Sequence, residues 1–276
     1  MGVSRLFATT VAMAALMPVA GEAADIVPGQ PVSAQVSPPP ADGWLVTLKG
    51  SLEAGPRWLG ADTYRMYPFP GISIRRAGTT AGFSAPDDGI GIALFDNQMF
   101  RIGPVARLQF ERKARGELAG LRHIDWAIEP GIFAEFWPAQ WFRTRIEVRR
   151  GFNGHRGIVA DLAADWVQQA GAFTTAIGPR IGFGNSRFTN TYFGVTPLEA
   201  LANGSVTPYR ASGGVHYAGL AGSIAYRWTP ALSTTVYGSY QRLVGDAARS
   251  PIVRNLGSRD QFTVGLSVSY TFALGQ

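Results

Sequence analysis

The stretch "FAEFWPAQWFRTRIEVRR", residues 133–150, sets two runs of opposite chemistry on alternate positions around a proline-containing turn. After the turn, Phe142, Ile146 and Val148 share one set of positions, and Arg143, Arg145, Glu147 and Arg149 share the other. Before it, Ile132 and Phe136 oppose Glu129 and Glu135. Side chains alternate across a strand, so each run is a strand with one apolar and one charged face. If "WPAQW" (137–141) turns about Ala139, Glu135 lies opposite Arg143 and Glu129 opposite Arg149. A next turn centred on Asn153 puts Arg145 opposite Asp161. Unlike charges directly opposed stabilise a ladder by roughly 0.2–1 kcal/mol each. A soluble sandwich would bury this face at a cost of several kcal/mol per charge, whereas the wet lumen of a barrel accepts it.

The same two-faced pattern fills the chain from Trp44 onward. In "DQFTVGLSVSYTF" (260–272), Phe262, Val264, Leu266, Val268, Tyr270 and Phe272 oppose Thr263, Gly265, Ser267, Ser269 and Thr271. Phe100, Ile102 and Leu108 oppose Arg101, Arg107 and Glu111; Ile124, Trp126 and Ile128 oppose Asp125 and Glu129; Ile158, Leu162 and Trp166 oppose Asp161 and Asp165. Eight acids (Glu53, Glu111, Asp125, Glu129, Glu135, Glu147, Asp161, Asp165) and eight bases (Lys49, Arg75, Arg101, Arg107, Arg143, Arg145, Arg149, Arg180) fall on the inward face. Tight turns at "DNQM" (96–99), "WPAQW", "QAGA" (169–172) and "WTPA" (228–231) alternate with mostly longer loops. Short periplasmic turns and long outer loops alternate in this way. An even count asks for three strands in 66–95, at about 68–75, 79–84 and 90–95. Glycines blur the period over 209–228, where a bulge is expected. The expectation is an all-β, antiparallel, up-and-down transmembrane β-barrel of about twelve strands over residues 43–276. Its lumen, packed with long paired side chains, should be largely occluded.

The N-terminus reads as an export signal. Arg5 precedes an apolar run from Leu6 to Ala20, and Gly21-Glu22-Ala23 offers a small-residue cleavage site. Residues 1–23 are therefore expected to be a signal peptide, and the proline-rich 24–42 a periplasmic tail. No later run offers the ~18 apolar residues of a spanning helix. The 276 residues include no cysteine, which excludes disulfides and thiol chemistry. A net charge of +6 could suggest nucleic acid, but export and the lack of any long Lys/Arg run argue against it. Exposed arginines would meet outer-membrane lipid and lipopolysaccharide phosphates instead.

Few residues offer chemistry. His123, His155 and His216 show no metal-ligand spacing, and neither a metal nor another cofactor is implied. His155, in "GFNGHRG" (151–157), is followed by Asp161 and Asp165 on the inward face of the next strand, and an Asp/His pair could activate water. No serine nucleophile accompanies it, so the chain does not read as an enzyme. "TPLEALANG" (196–204) carries Thr196 and Glu199 at capping-box spacing, Pro197 at the first helical position and Asn203-Gly204 as a stop. That predicts a short helix, which either lids the barrel mouth or simply compacts its loop.

Taken in order, "RIGP" (101–104), "GIFAEFWPAQWFRTRIEVRRGFNGHRG" (131–157), "AIGPRIGFGNSRFTNTYFGV" (176–195), "YRASGGVHYAGLAGSIAYRWT" (209–229), "YQRLVGDAARSPIV" (240–253) and "RDQFTVGLSVSYTF" (259–272) resemble the MipA/OmpV family of outer-membrane proteins. The resemblance implies a scaffold in the Gram-negative outer membrane, the founding member being described as bridging a lytic transglycosylase and a penicillin-binding protein in murein synthesis. It implies no catalytic residues. It also makes Tyr270 and Phe272 the C-terminal signal read by the barrel assembly machinery. The residues expected to carry the lumenal ion-pair network are Arg107, Asp125, Glu129, Glu135, Arg143, Arg145, Arg149, Asp161 and Asp165. A narrow channel for small solutes is the alternative reading, ahead of an adhesin or a barrel enzyme.

Overall fold

A computed structural model describes residues 43–76, 82–97 and 99–274. The expected signal peptide and proline-rich tail lie outside these residues. Thirteen strands form one antiparallel sheet. They are β1 (Trp44–Pro56), β2 (Tyr64–Arg76), β3 (Ile90–Gly91), β4 (Phe95–Asp96), β5 (Phe100–Gln109), β6 (Ala127–Ala139), β7 (Phe142–Arg150), β8 (Phe152–Asn153), β9 (Ile158–Ala170), β10 (Phe173–Gly184), β11 (Gly214–Arg227), β12 (Leu232–Leu243) and β13 (Asp260–Leu274). From β5 onward each long strand pairs with the next, the two-residue β8 pairing back with β6, and β13 returns to pair with β1 from Trp44↔Leu274 to Ala54↔Val264. The result is an up-and-down barrel, closed except for one seam between β2 and the short β3 and β4, which pair with β5.

Alternation decides which side of each strand meets which medium. Ile132, Ile177, Ile224, Val236, Val264 and Leu266 all leave more than half of their surface exposed, spread around the perimeter. An exposed apolar band on every wall is the lipid face of a transmembrane barrel, not the surface of a soluble protein. Aromatic pairs border it at the short-turn end: Phe100 with Phe136, Trp141 with Trp166, and Phe173 with Tyr226. Such girdles place rings at the membrane interface, where one edge is apolar and the other wet.

All four tight turns fall at that end, as expected. Between β9 and β10, Gly171 takes φ 59°, the left-handed conformation that a two-residue hairpin demands. The turn between β6 and β7 differs from expectation. A bulge between Phe136 and Ala139 slides the ladder, so Glu135 faces Arg145 and not Arg143, and Gly131, not Glu129, faces Arg149. On the other side of β7, Asp161 faces Glu147 and Arg143 faces Asp165, so the expected Arg145–Asp161 pair does not form. Slips of two residues keep every side chain on its face, which is why the faces survive the error in register. The bulge expected in 209–228 is present at His216, where the pairing of β10 with β11 skips one residue.

The region 66–95 departs most. One long strand, β2, replaces the expected 68–75, and 90–95 is reduced to β3 and the first residue of β4. Of the expected strand 79–84, residues 79–81 are outside the described residues and 82–84 are not strand. The reason is local: Ala85-Pro86-Asp87-Asp88 closes a turn, Asp88 N donating to the Ala85 carbonyl at 3.0 Å while the Asp88 carboxylate accepts from Ala85 N at 2.8 Å. Pro86 has no N–H to give a ladder, and the turn uses the groups that a strand would need.

The long-loop end carries a folded cap. It contains a 3-10 turn (Gly116–Leu118) and four helices, α1 (Ser186–Phe193), α2 (Pro197–Asn203), α3 (Gly245–Arg249) and α4 (Pro251–Leu256). α2 starts and stops where its sequence predicts, with the Thr196/Glu199 capping box formed and Gly204 at φ 75°. Phe188, Tyr192, Phe193, Ile124, Val253 and Leu243 form one buried cluster, and Trp58, Leu118, Leu121, Val195 and Ile252 another. Ile124, expected to face lipid, is instead 2% exposed inside this cap.

Candidate functional site

The charged wall of the lumen runs along β5, β6, β7, β9 and β10. Adjacent strands put Glu129, Glu135, Arg143, Arg145, Glu147, Arg149, Asp161, Asp165 and Arg180 on one inner surface, because all hold inward positions of their strands. Arg143 is completely buried, and donates to Asp165 at 2.8 Å, Glu135 at 2.9 Å and Asp88 at 2.6 Å. Arg145 joins Glu135 and Glu147, and its guanidinium lies 4.0 Å from the Phe133 ring centre. Arg149 holds Glu129 at 3.1 Å and also binds Glu147 and Asp161. Arg180 donates to Asp165 at 2.7 Å.

One feature of this surface is unfavourable by itself. Glu147 and Asp161 are directly opposed across β7 and β9, a like-charge pair that weakens a ladder. Arg149 bonds both carboxylates, and Arg107 approaches them at 3.4 and 3.8 Å. The two arginines convert the repulsion into a bridge.

Of the residues expected here, Arg107, Glu129, Glu135, Arg143, Arg145, Arg149, Asp161 and Asp165 lie together in the lumen. Asp125 does not. It precedes β6 on an exposed loop, with its carboxylate 3.1 Å from His123 Nε2, because the chain before Ala127 turns into the cap instead of extending the strand. Glu111 likewise leaves the wall, pairing with Lys113 at 2.8 Å.

The residues that sequence reasoning missed are Asp87 and Asp88. The turn that carries them folds into the lumen between β2 and β3, against the charged wall. Asp88 binds Arg143 and Asp87 binds Arg180 at 2.7 Å, while the Asp87 carbonyl accepts from Arg107 at 2.7 Å and Gly89 N donates to Glu147 at 2.9 Å. Phe83 and Ala85 fill the space beside them. "APDDG" is legible as a turn, but nothing local says that a turn points inward.

At the cap end, His155 is buried and its Nε2 lies 2.8 Å from Glu129. Its ring meets the edges of Phe188 and Tyr192 of α1. Gly151 is required here, since a Cβ at that position would lie 2.1 Å from the imidazole. His155 thus joins the network to the cap. His216, on the bulge, packs against Phe188 and Tyr217, and the Tyr217 hydroxyl donates to Asp161 at 2.7 Å. No group of side chains suited to a metal ion occurs among the described residues.

The opposite wall carries Ser223, Ser239 and Ser267 beside the buried Tyr237. A small cleft of about 10 Å³, room for about one water molecule, lies between Asp87, Arg180, Ser223 and Tyr237. At the end of the last strand, Tyr270 faces Leu48 and Phe272 faces Val46 across the closing ladder.

Fold and lumen together define an outer-membrane-type β-barrel with a packed interior and a structured cap. The family described as "MltA-interacting protein MipA" matches residues 49–272, and the chain belongs to that family. No curated protein is significantly similar to it in sequence. Among solved structures, an outer-membrane channel from Pseudomonas putida F1 shares 9% identity, with 90% of this chain and 100% of that one covered and a TM-score of 0.44. The NanC porin shares 10%, covering 82% and 98%, with a TM-score of 0.40. The outer-membrane protein OprD from Pseudomonas aeruginosa shares 10%, covering 85% and 94%, with a TM-score of 0.32. Likeness at this level carries nothing about the lumen, whose properties rest on its own residues.

Proposed function

We propose that this barrel is a closed structural anchor, which holds a partner on its short-turn side and does not serve as a diffusion pore. The observation that supports this reading is the complete burial of Arg143 between the strand wall and the inserted Asp88. Short turns of such barrels face the periplasm, the side on which murein lies. The family description names an interaction with MltA. Carried to this chain, that partner would be a murein-remodelling enzyme, lytic transglycosylase or penicillin-binding protein, met by residues 24–42 or by the short turns. Export would proceed through cleavage after Ala23, and Tyr270 and Phe272 would serve as the assembly signal.

A narrow channel is the second reading, favoured by the serines of the opposite wall and the small cleft beside Arg180. Two measurements on the refolded barrel separate them. In a planar bilayer the anchor is silent, and steady ion-selective steps would establish the channel. Removing residues 24–42 should abolish capture of a purified lytic transglycosylase and leave the bilayer record unchanged. Undiminished capture without the tail and with intact turns would sink the tail as the contact.

A further inference from the structure

Outside the barrel, at the long-loop end, Asn153, Arg156, Ser186, Arg187, Asn190 and Arg210 line an open cleft of about 580 Å³. Three guanidiniums face it and no carboxylate does. Several other arginines are tied up by carboxylates: Arg143 in the lumen by Asp165, and on the cap Arg122 by Glu199 and Arg249 by Asp246. Among the described residues none of Arg156, Arg187 and Arg210 has an ion-pair or side-chain hydrogen-bond partner, and all three are exposed.

The backbone that carries them is fixed. Gly151 N donates to the Gly157 carbonyl at 2.9 Å, and both Gly154 N and Asn153 Nδ2 donate to the Trp126 carbonyl, so the Arg156 loop is pinned to β6. Arg187 lies in the first turn of α1, which Asn185 caps. The chain next to Arg210 is held by Ala211 N donating to the Asn190 side chain at 3.2 Å. Like charges gathered on a rigid frame without counter-charges repel one another, and an anion with several oxygens relieves that repulsion by accepting from all three.

Location selects the source of the anion. The strands below the cleft present Phe152, Ile158, Phe183 and Val215 outward, all exposed, as the upper edge of the lipid-facing band. The cleft opens directly beyond that edge, at headgroup level. We infer that Arg156, Arg187 and Arg210 form a binding site for the phosphate groups of an anionic glycolipid in the leaflet on the long-loop side. The exposed Ser186 and the half-buried Asn190 side chain offer hydrogen bonds to adjoining sugar hydroxyls.

The full chain, refolded into phosphatidylcholine nanodiscs containing diphosphorylated lipid A, tests this. Native mass spectrometry reads the lipid A retained by the purified barrel. Exposed side chains are changed, and heat-modifiable migration verifies that each variant folds. Replacing each arginine by Gln should lower retention about tenfold, the effect of one charge-assisted hydrogen bond. Dephosphorylated lipid A should be retained by neither wild type nor variants. Arg254→Gln, an exposed arginine of α4 outside the cleft, should leave retention unchanged. Equal retention by the wild type and by the Arg156→Gln/Arg187→Gln/Arg210→Gln variant overturns the site, as does an equal loss in Arg254→Gln. Displacement of lipid A by inorganic phosphate at equal concentration overturns the lipid assignment and leaves a site for free anions.

Discussion

Arg143 shows how much of this lumen depends on single groups. Its guanidinium satisfies carboxylates from β6, β9 and the inserted turn. Removing one member of a buried charge network strands the others, at a cost of about 3–5 kcal/mol. Arg143→Met is therefore expected to lower the unfolding free energy of the refolded barrel, read from denaturant titration, by that amount. Arg143→Lys should recover only part, because a compact ammonium cannot present a planar fork to three acceptors. Adding Asp88→Asn to Arg143→Met should cost less than the sum of the two changes, since they remove one interaction between them. Strict additivity in that double-mutant cycle would show that the contact contributes nothing. The charges at 129, 135, 143, 145, 149, 161 and 165 were legible in the sequence because their alternation is unbroken. Asp125 misled, since alternation continues past the point where the chain leaves the sheet.

Among the elements, α2 was the most legible and its docking the least. Thr196, Pro197, Glu199 and Gly204 are local signals, and the helix obeys them. The same Glu199 also receives Arg122 Nε at 2.8 Å and Nη2 at 2.9 Å, which fastens α2 to the loop before β6. Burial alone would raise this carboxyl, but hydrogen bonds from Arg122 and Thr196 outweigh it and hold the group at about 2 against an ordinary 4.5. A depressed carboxylate contributes its stability above the ordinary value and loses it as pH falls toward the depressed one. Amide exchange in α2 should accordingly quicken between pH 4.5 and about 2 relative to that in β9. In Glu199→Gln, exchange should already be faster at neutral pH and its extra acid sensitivity absent. A wild-type α2 as well protected near pH 2 as at pH 7 would remove Glu199 from this role. Helices α1, α3 and α4 escaped sequence reasoning because none carries the full capping box of α2, and it is their packing over Phe193 and Val253 that stabilises them.

At the scale of the molecule, two closures lie in series: the inserted turn in the lumen and the cap above it. Loosening one leaves the other shut. Asp87→Asn/Asp88→Asn, which releases the turn from Arg143, Arg145 and Arg180, should stay silent in a planar bilayer. Phe193→Ala/Val253→Ala, which empties the cap core by about 3–5 and about 2 kcal/mol of packing, should stay silent too. All four substitutions together should produce anion-selective steps, because the freed arginines would then line an open path. Conduction by the Asp87→Asn/Asp88→Asn variant alone would show that the cap is no seal.

The sequence by itself determined the barrel, the two faces of its strands, the short-turn end and most of the buried charges. Each of these is written in a period of two residues or in a turn of four, and needs no knowledge of distant contacts. Only the tertiary structure decided the register at the bulge after Phe136, the burial of the Asp87-Asp88 turn and the roofing of the long-loop end. Those features depend on which surfaces meet after the sheet has curled closed. A turn such as "APDDG" has the same local signals whether it points to solvent or into a lumen, and arginines 20 to 93 residues away supply the positive charges that draw it inside.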